Sequence, residues 1–513
     1  MVDVCLGFEV HQPHRINGTF RPRMARGKAT GELEDVYLDL ALDQRILERV
    51  CRKCYLPANR SLLESIDEFK GQGSEFKVVF SISGVLIEQL ERWQPDVLDS
   101  FRKLAGTGCV EMLDQTYYHS LASLYSNEKF EFREQVRLHR DLIRDLFDTT
   151  PEVFENTEFL YNDSIARSVS EMGYRGMFTE GAERILGWRS PEHVYSAPYG
   201  GLKVLLRDFR LSDDIAFRFS APDWPHWPLT ADKYASWLSR AWGDCVNVFI
   251  DYETLGEHQW PETGIFHFLE WLPREAISRG VEFRTASEMI DLHPPVGEFG
   301  VGDFDTISWA DVDRSTGAWL GNDMQRTCYR ALRDLGTYVR SVGNDDLTRL
   351  WRLLQISDHL YYMYTEPGAS GLVHGYFSSQ TPVKAFWSFS RILSDFHQKV
   401  AGQMEEPGRT AANLLRLLSP DRAFHFHDRN GYVGLSAHSM EEFLQVLGIA
   451  PESSVEFHHS NSDFATWFEE SVGDDKLAET LRGVVGGEPS ELKIKLFNAV
   501  QFRAGELRDA IGS

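Results

Sequence analysis

Long hydrophobic runs are missing from this sequence. None of its 513 residues belongs to an apolar stretch of the roughly 18 residues that a transmembrane helix needs. The first residues, MVDVCLGFEVHQPH, also lack the basic segment and the long apolar segment of a signal peptide. We therefore expect a chain that neither spans a membrane nor is exported across one.

Cysteine and basic residues are also scarce. The six cysteines are scattered, and the one CxxC spacing, at 51–54, has no second pair that could complete a zinc site. We therefore expect a reducing cytoplasm as the compartment, and we predict no metal or other cofactor. Acidic residues outnumber basic ones by 77 to 53, and the net charge of −24 argues against nucleic acid or an anionic membrane as partner. A neutral substrate is compatible with this charge, and the oligomeric state is left open.

Aromatic residues, in contrast, are plentiful. The chain has 33 Phe, 18 Tyr and 13 Trp, together 12% of its residues. Carbohydrate sites stack the flat C–H faces of sugar rings on such side chains, although a large core also consumes them. The length predicts two or three domains with room for such a core. The composition thus allows a carbohydrate site without requiring one.

Short apolar runs alternate with amphipathic helical stretches from residue 2 to about residue 290. The predicted strands are VDVCLGF (2–8), FKVVFSI (76–82), CVEML (109–113), PEVFEN (151–156), RGMFTE (175–180), DIAFRF (214–219), CVNVFID (245–251) and VEFRT (281–285). This alternation is typical of parallel strands joined by helical crossovers, and seven or eight repeats favour a barrel. In such barrels the chemistry lies at the carboxyl ends of the strands.

The strand pattern stops after about residue 320. Three helices are predicted next, at 322–342, 345–365 and 382–400. A junction near 405–415 precedes a segment with a hairpin and further helices. We therefore expect three parts: an α/β barrel over residues 1–295, a helical domain over 296–405 and a small α+β module over 416–513.

Polar side chains gather where four of the predicted strands end. The segments are FEVHQPHR with Glu9, His11, Gln12 and His14; GCVEMLDQTYYHS with Glu111, Asp114 and His119; FENTEFLYND with Glu155 and Glu158; and FIDYETLGEHQW with Asp251, Glu253, Glu257, His258 and Trp260. Because these strand ends meet at one face of a barrel, they predict a single site. Two carboxylates on opposed strand ends suit glycosidic cleavage, in which one attacks the anomeric carbon and the other protonates the leaving oxygen. Burial among aromatic side chains would raise the pKa of the acid so that it keeps its proton.

The motifs HQPH, GCVEML, FENTEFLYND and IDYETLGEH, in that order, resemble glycoside hydrolase family 57 in its α-amylase-like branch. The segments MFTEGAERILGW (177–188), LSDDIAFRFS (211–220) and HGYFSSQTPVKAFWSFSRILSDF (374–396) are similar to that branch as well, so the resemblance covers about residues 1–400. It implies an incomplete seven-stranded (β/α)7 barrel with a helical domain packed across its mouth. It also implies retaining cleavage of α-1,4-glucans through a glycosyl-enzyme intermediate.

The resemblance assigns roles to individual residues. The acid after "NT" in the third motif, here Glu158, is the nucleophile, and the aspartate that opens "DYE", here Asp251, is the general acid/base. The fifth motif of the family falls on Asp358 and His359, on a helical stripe that is otherwise apolar. Position 9 departs from the family pattern, because many members have a histidine there and this chain has Glu9. The residues predicted to bind substrate are Glu9, His11, His14, Glu111, Glu253, His258, Trp260, Trp309, Asp358 and His359.

Other interpretations fit the same residues. Transfer by a 4-α-glucanotransferase and branching of a glucan share the glycosyl-enzyme intermediate with hydrolysis, and the sequence does not decide among the three. A metal-dependent polysaccharide deacetylase uses a related barrel, in which His11, His14, Asp251 and Glu9 would hold a divalent ion. A non-catalytic glucan-binding protein is the third alternative, although both carboxylates are retained.

Overall fold

Parallel strands form the centre of the fold. The computed structural model describes residues 2–125, 129–366 and 381–512. Its strands before residue 300 are β1 (Val2–Val10), β2 (Val78–Ile82), β3 (Val110–Met112), β4 (Val153–Glu155), β5 (Gly176–Glu180), β6 (Val194–Ser196), β7 (Lys203–Arg207), β8 (Cys245–Asp251) and β9 (Val281–Phe283). Seven parallel strands follow one another in the order β3-β2-β1-β8-β7-β5-β4, while β6 pairs with β7 and β9 with β1. Most of their residues are buried, as expected for parallel strands covered by helices.

Two joins around this sheet are short. The β3 and β4 strands meet only through Asp114, whose backbone N–H and C=O both bond to β4. The β7 and β8 strands share a single register pair, Arg207 with Asn247, whereas β8 pairs with β1 over seven residues. Side chains extend the β7–β8 join: Arg207 Nε donates to the Phe249 carbonyl at 2.7 Å, and Ser212 Oγ accepts from the Phe249 N–H at 3.1 Å. The prediction of an incomplete seven-stranded (β/α)7 barrel is therefore confirmed.

Helices surround the sheet and continue beyond it. Those before residue 300 are Glu34–Tyr37, Leu40–Val50, Leu56–Phe69, Gly84–Trp93, Pro95–Ala105, Phe130–Phe147, Asp163–Glu171, Glu183–Leu186, Phe209–Ala216, Ala231–Leu238, Ile265–Ser278 and Ala286–Leu292. Those after it are Gly317–Leu320, Asp323–Val342, Asp345–Leu354, Asp358–Tyr361, Pro382–Ala401, Gly408–Leu415, Met440–Ile449, Glu452–Ser460, Asp463–Trp467, Asp475–Arg482 and Pro489–Gly512. Within the described residues, none of these helices combines the length and the apolar character needed to cross a bilayer.

One predicted strand is wrong. Seven of the eight predicted runs contain a strand, but residues 214–219 include the end of helix Phe209–Ala216 instead. The side chain of Asp208 caps this helix by accepting from the Leu211 N–H at 3.0 Å, and Ile215 is buried on its inner face. Residues 214–219 alternate between apolar and polar side chains, which is the pattern of a strand, and this caused the wrong prediction. The barrel strand in this part of the chain is β7, which ends seven residues before the predicted run.

The helix predicted over 345–365 is interrupted. Helix Asp345–Leu354 ends, and a new short turn begins at Asp358. The backbone between them pairs with the barrel: the Ser357 N–H donates to the His119 carbonyl at 3.0 Å, and Ile356 forms an isolated bridge with Ser120. These tertiary hydrogen bonds compete with the helical ones, and they bring Asp358 to the carboxyl ends of the barrel strands.

The last hundred residues have a hydrophobic core of their own. The predicted hairpin is present as β10 (Phe424–Asp428) and β11 (Gly431–Ala437), which pair antiparallel. Phe424, Phe443 and Trp467 belong to a buried cluster formed by residues from 411 onward. This separate core supports the predicted α+β module, whose boundaries stay a prediction. Of the segment 374–396 that resembles the family, residues 374–380 lie outside the described residues.

Candidate functional site

A cavity of about 160 Å³ opens at the carboxyl ends of the barrel strands. Its lining residues are Glu9, His11, Gln12, Pro13, His119, Glu158, Ala216, Phe217, Asp251, Glu253, Thr254, His258, Ala310, Asp358 and Tyr361. Residues from all four predicted strand ends therefore meet in one place, together with Asp358 and Tyr361 from the helical region. Both predicted catalytic carboxylates, Glu158 and Asp251, face this cavity.

Polar groups contact both carboxylate oxygens of Glu158. The Trp309 indole N–H donates to Oε2 at 2.6 Å, and His119 Nε2 lies 3.4 Å from Oε1. Glu158 and Phe159 have φ angles of 58° and 59°, a left-handed conformation that non-glycine residues rarely adopt. Stacking of Phe159 on Trp309, with ring centroids 4.6 Å apart and planes 12° apart, supports this turn. Backbone strain of this kind is typical of functional sites.

Trp309 was predicted to bind substrate, but the structure places it elsewhere. It does not line the cavity but stands behind Glu158 and binds its carboxylate. A buried ionic cluster lies against the indole: Arg207 donates to Glu180 at 2.9 Å and to Asp213 at 2.8 Å, with its guanidinium 5.3 Å from the Trp309 ring centroid. Arg314 joins Asp213 to the Trp309 carbonyl with hydrogen bonds of 2.9 and 2.5 Å. The sequence prediction missed this cluster, although its acids lie in the MFTE and LSDD segments.

Asp251 ends β8 and projects into the cavity. It presents surface to the open space there, while protein surrounds it on its other sides. This desolvation raises the pKa of Asp251 from 3.8 to about 7, and the negative charge of Glu158 adds to the rise. The positive charges of Arg207 and His119 act in the opposite direction. Asp251 is thus partly protonated near neutral pH, which suits an acid that must donate a proton.

Glu253 and His258 follow Asp251 along the chain and also line the cavity. Burial, with the charge of Asp251, raises the pKa of Glu253 to about 8, although a hydrogen bond from the Tyr55 hydroxyl opposes the rise. Burial lowers the pKa of His258 to about 4, so its imidazole is neutral at pH 7. Glu253 and His258 therefore contribute little charge to the cavity wall at neutral pH.

His11 connects the barrel to the helical region. Its Nδ1 lies 2.7 Å from Ser83 Oγ and its Nε2 lies 3.0 Å from Asp358 Oδ2. Burial and the nearby charge of His119 lower the pKa of His11 to about 4. Burial alone would raise the pKa of Asp358, but the hydrogen bond from His11 and the histidine charges outweigh it and keep that pKa well below its usual range. At neutral pH, a neutral His11 accepts from Ser83 and donates to an ionised Asp358.

His11, His119 and Asp358 could in principle share a metal ion, because their donor atoms lie within 4.8 Å of one another. The two imidazole rings are stacked, however, with centroids 3.9 Å apart and planes only 21° apart. An ion bound by two imidazoles lies close to both ring planes, and these stacked planes do not converge on one nearby point. The three residues therefore do not fit a shared ion in this arrangement, and their contacts suit a hydrogen-bonded site.

Two predicted site residues, His14 and His359, lie behind the cavity wall. His14 Nδ1 contacts Asp43 Oδ2 at 3.0 Å, and His359 Nε2 donates to the His14 carbonyl at 2.8 Å. Both side chains are buried and neither lines the cavity. Their neighbours in sequence, His11 and Asp358, occupy the places expected of them. His14 and His359 instead fasten the segment after β1 to the helical region.

Glu111 and Trp260 are also away from the cavity. Glu111 lies within β3, where its carboxylate accepts from the Ser287 N–H at 2.8 Å and from the Ser287 hydroxyl, at the start of helix Ala286–Leu292. Trp260 is 57% exposed beside the short helical turn Pro261–Thr263. Glu111 is therefore not part of the site, because its side chain turns toward a helix. Trp260 turns toward solvent outside the cavity, and its role in substrate binding stays a prediction.

His119 is a functional residue that the sequence prediction did not select. His119 belongs to the segment that follows β3, but it lies in a loop, where no helical or strand periodicity indicates the direction of a side chain. In the structure it lines the cavity, contacts Glu158 and has a φ of 48°. Gln12, Phe217 and Tyr361 also line the cavity without having been predicted to bind substrate.

Comparison with known proteins agrees with this site. The profile of glycosyl hydrolase family 57 matches residues 5–302. A candidate α-amylase of Methanocaldococcus jannaschii is 44% identical over 403 residues, which is 77% of this chain and 84% of that protein.

Two solved structures share the fold. The 4-alpha-glucanotransferase of Thermococcus litoralis has a TM-score of 0.55 at 16% identity, over 78% of this chain and 60% of that one. The GH57-type branching enzyme of Pyrococcus horikoshii has a TM-score of 0.53 at 15% identity, over 78% of this chain and 90% of that one. The resemblance seen in the sequence motifs is therefore confirmed: the chain belongs to glycosyl hydrolase family 57.

Proposed function

We propose that this enzyme cleaves α-1,4-glucans with retention of configuration, with Glu158 as nucleophile and Asp251 as general acid/base. The observation that carries the proposal is that two carboxyl groups in one cavity have different surroundings. The Trp309 indole N–H donates to Glu158, whereas desolvation raises the pKa of Asp251 to about 7. Two titratable groups whose environments differ in this way divide the roles of base and acid.

The reaction proceeds in two displacements. In the first, a Glu158 oxygen bonds to the anomeric carbon while the bond to the glycosidic oxygen breaks, and that oxygen takes the proton of Asp251. Glu158 is then a neutral ester, so the repulsion that had helped to raise the pKa of Asp251 disappears. The pKa of Asp251 therefore falls, and Asp251 remains a carboxylate after it has given up its proton. In the second displacement it accepts a proton from the incoming water, which attacks the anomeric carbon and releases Glu158. The same residue thus acts first as acid and then as base.

The substrate class rests on the relatives and on the cavity. The relative from Methanocaldococcus jannaschii is named as a candidate alpha-amylase, and the two similar structures are named as a 4-alpha-glucanotransferase and a branching enzyme. Phe217 and Tyr361 offer aromatic surface at the cavity, and His11 and Asp358 offer polar groups for sugar hydroxyls. We also propose that the helical region, expected over 296–405, completes the cleft, because it contributes Asp358 and Tyr361.

A reducing compartment, the cytoplasm, is part of the proposal. The six cysteines are all free and buried, as expected for a protein that does not rely on disulfides.

Product analysis tests the function. Maltoheptaose and amylose are incubated with the enzyme and, as a control, with Glu158→Gln, and the products are separated by anion-exchange chromatography. We expect glucose and maltose, the products of hydrolysis, from the enzyme only. A ladder of longer chains would mean that a sugar hydroxyl replaces water as acceptor, and new 1,6 linkages would mean branching. Absence of any change in either glucan would refute action on α-glucans.

A further inference from the structure

Glu9 is an acidic residue buried inside the barrel, at the position where this chain departs from its family. It lies near the end of β1, in register with Ser81 of β2 and Asp251 of β8. The residue is 2% exposed, and neither carboxyl oxygen makes a well-aligned hydrogen bond with the described residues. One of its polar neighbours is His119, whose Nδ1 is 3.1 Å from Glu9 Oε1.

His119 occupies a tightly defined position. One face of its ring stacks on His11, and its carbonyl accepts from the Ser357 N–H at 3.0 Å. Its backbone has a φ of 48°, so the residue is fixed in an uncommon conformation. Its Nε2 reaches Glu158 Oε1 at 3.4 Å. The two ring nitrogens of His119 thus face Glu9 on one side and Glu158 on the other. The imidazolium form, with hydrogen on both nitrogens, is the form that can donate toward Glu158 while Nδ1 also carries a hydrogen.

The neighbours of Nδ1 show that this nitrogen carries a hydrogen. Gln115 Nε2 donates to Ser81 Oγ at 2.8 Å, so the amide oxygen of Gln115, which only accepts, is the atom 3.3 Å from His119 Nδ1. Glu9 Oε1 lies 3.1 Å from the same nitrogen, without the alignment of a hydrogen bond. The hydrogen bond to Gln115 and the contact with Glu9 together restrain rotation of the imidazole about its side-chain bonds.

We propose that Glu9 is a positioning residue for Glu158 that acts through His119. The inference rests on the proposed role of Glu158 as nucleophile. Through the 3.1 Å contact of its Oε1 with Nδ1, Glu9 keeps the ring in the orientation that brings Nε2 to the carboxylate that attacks the sugar. Many family members have a histidine at this position. An imidazole ring differs in shape from the carboxyl group of Glu9, so the proposed role belongs to this chain.

Glu9 does not need a negative charge for this role. The titratable groups that face it are Glu155, Glu158, Asp251, Glu253 and His119. Burial, followed by the four acids among them, raises the pKa of Glu9 well above its usual range. A protonated carboxyl still offers a carbonyl oxygen as acceptor. Glutamine has the same shape and the same acceptor, so it should replace Glu9, whereas leucine should not.

Trapping of the glycosyl-enzyme tests the inference. A fluorinated maltosyl fluoride that forms a slowly hydrolysed intermediate is mixed with wild type, Glu9→Gln, Glu9→Leu and Glu111→Leu, and the adduct on Glu158 is followed by mass spectrometry. We expect Glu9→Gln to form the adduct within about threefold of the wild-type rate and Glu9→Leu to form it about 10- to 100-fold more slowly. The Kd for maltoheptaose should change less than about threefold, because the lost contact acts on the nucleophile. Glu111→Leu, the same change in a strand carboxylate outside the cavity, should react at the wild-type rate.

The outcomes separate this inference from the proposed function. If wild type forms no adduct on Glu158, the nucleophile assignment fails and the inference falls with it. If wild type forms the adduct, equal losses in Glu9→Gln and Glu9→Leu, or no loss in Glu9→Leu, overturn the inference alone. Circular dichroism checks folding, and Glu9→Ala replaces the leucine variant if that variant does not fold. In a His119→Ala background, removal of Glu9 should cause no further loss, and an additive loss would also overturn the inference.

Discussion

The proton carried by Asp251 should set the alkaline limit of activity. Desolvation and the charge of Glu158 raise its pKa to about 7, against the pull of Arg207 and His119. About nine-tenths of the Asp251 carboxyls then hold a proton at pH 6 and about one-tenth at pH 8. Because the pKa of Asp251 is raised to about 7, its protonated form is lost as the pH rises through 7. We therefore expect kcat/KM for maltoheptaose to fall about tenfold between pH 6 and pH 8.

Substrates that differ in leaving group identify the group responsible. The kcat/KM profile reports the free enzyme, which is the state that the structure describes. Wild type and Asp251→Asn are compared on maltoheptaose and on an aryl maltoside with a good leaving group, from pH 4 to pH 9 at constant ionic strength. The variant should lose most activity on maltoheptaose but keep much of the first step on the aryl maltoside, which needs no proton. Glu111→Gln, which alters a carboxylate outside the cavity, should keep the wild-type profile.

Two results would refute this reasoning. An alkaline limb that persists in Asp251→Asn would show that another group supplies the proton. Glu253 is the nearest candidate in the chain, and with a pKa of about 8 it would place the limb about one pH unit higher. A wild-type limb below about pH 5 would show that Asp251 keeps its ordinary acidity, in conflict with the desolvation that the structure indicates.

Three further predictions concern the nucleophile and the question of a metal. Glu158→Gln should lower kcat on maltoheptaose by about 10³-fold or more while binding measured by calorimetry persists, and near-normal turnover would show that the nucleophile lies elsewhere. Trp309→Phe keeps the stack on Phe159 but removes the indole donor to Glu158, so kcat should fall about tenfold with little change in Tm; an unchanged kcat would mean that this hydrogen bond does not assist the nucleophile. EDTA should leave activity unchanged, because the stacked His11 and His119 do not converge on an ion. Loss of activity on chelation, with recovery on addition of a divalent ion, would favour the deacetylase interpretation instead.

Strand positions and the gathering of the four strand ends could be predicted because both follow from local patterns. Buried parallel strands such as β1 and β8 are continuous apolar runs, and the residues just after them must lie at one face of the barrel. The direction in which a side chain points does not follow from such local patterns. Glu111 and His14 have polar neighbours in sequence, yet Ser287 and Asp43, distant along the chain, determine where they point.

The break before Asp358 could not be predicted for a related reason. Residues 345–365 have the helical pattern throughout, and the break coincides with tertiary contacts of Ile356 with Ser120 and of Ser357 with the His119 carbonyl. The backbone strain at Glu158 is equally invisible in the motif, because Trp309, about 150 residues later, supports it. Sequence patterns thus locate elements, whereas contacts between distant residues decide orientation and strain.

The short join between β7 and β8 has a consequence for how this enzyme can change during evolution. One edge of β8 is fastened to β1 by a full backbone ladder, which substitutions hardly affect. The other edge depends on the side chains of Arg207, Asn247 and Ser212, which a single mutation can shorten, lengthen or remove. Such mutations would tilt the strand by small amounts and move Asp251 toward or away from Glu158. The catalytic spacing is therefore open to gradual adjustment through buried residues that do not line the cavity.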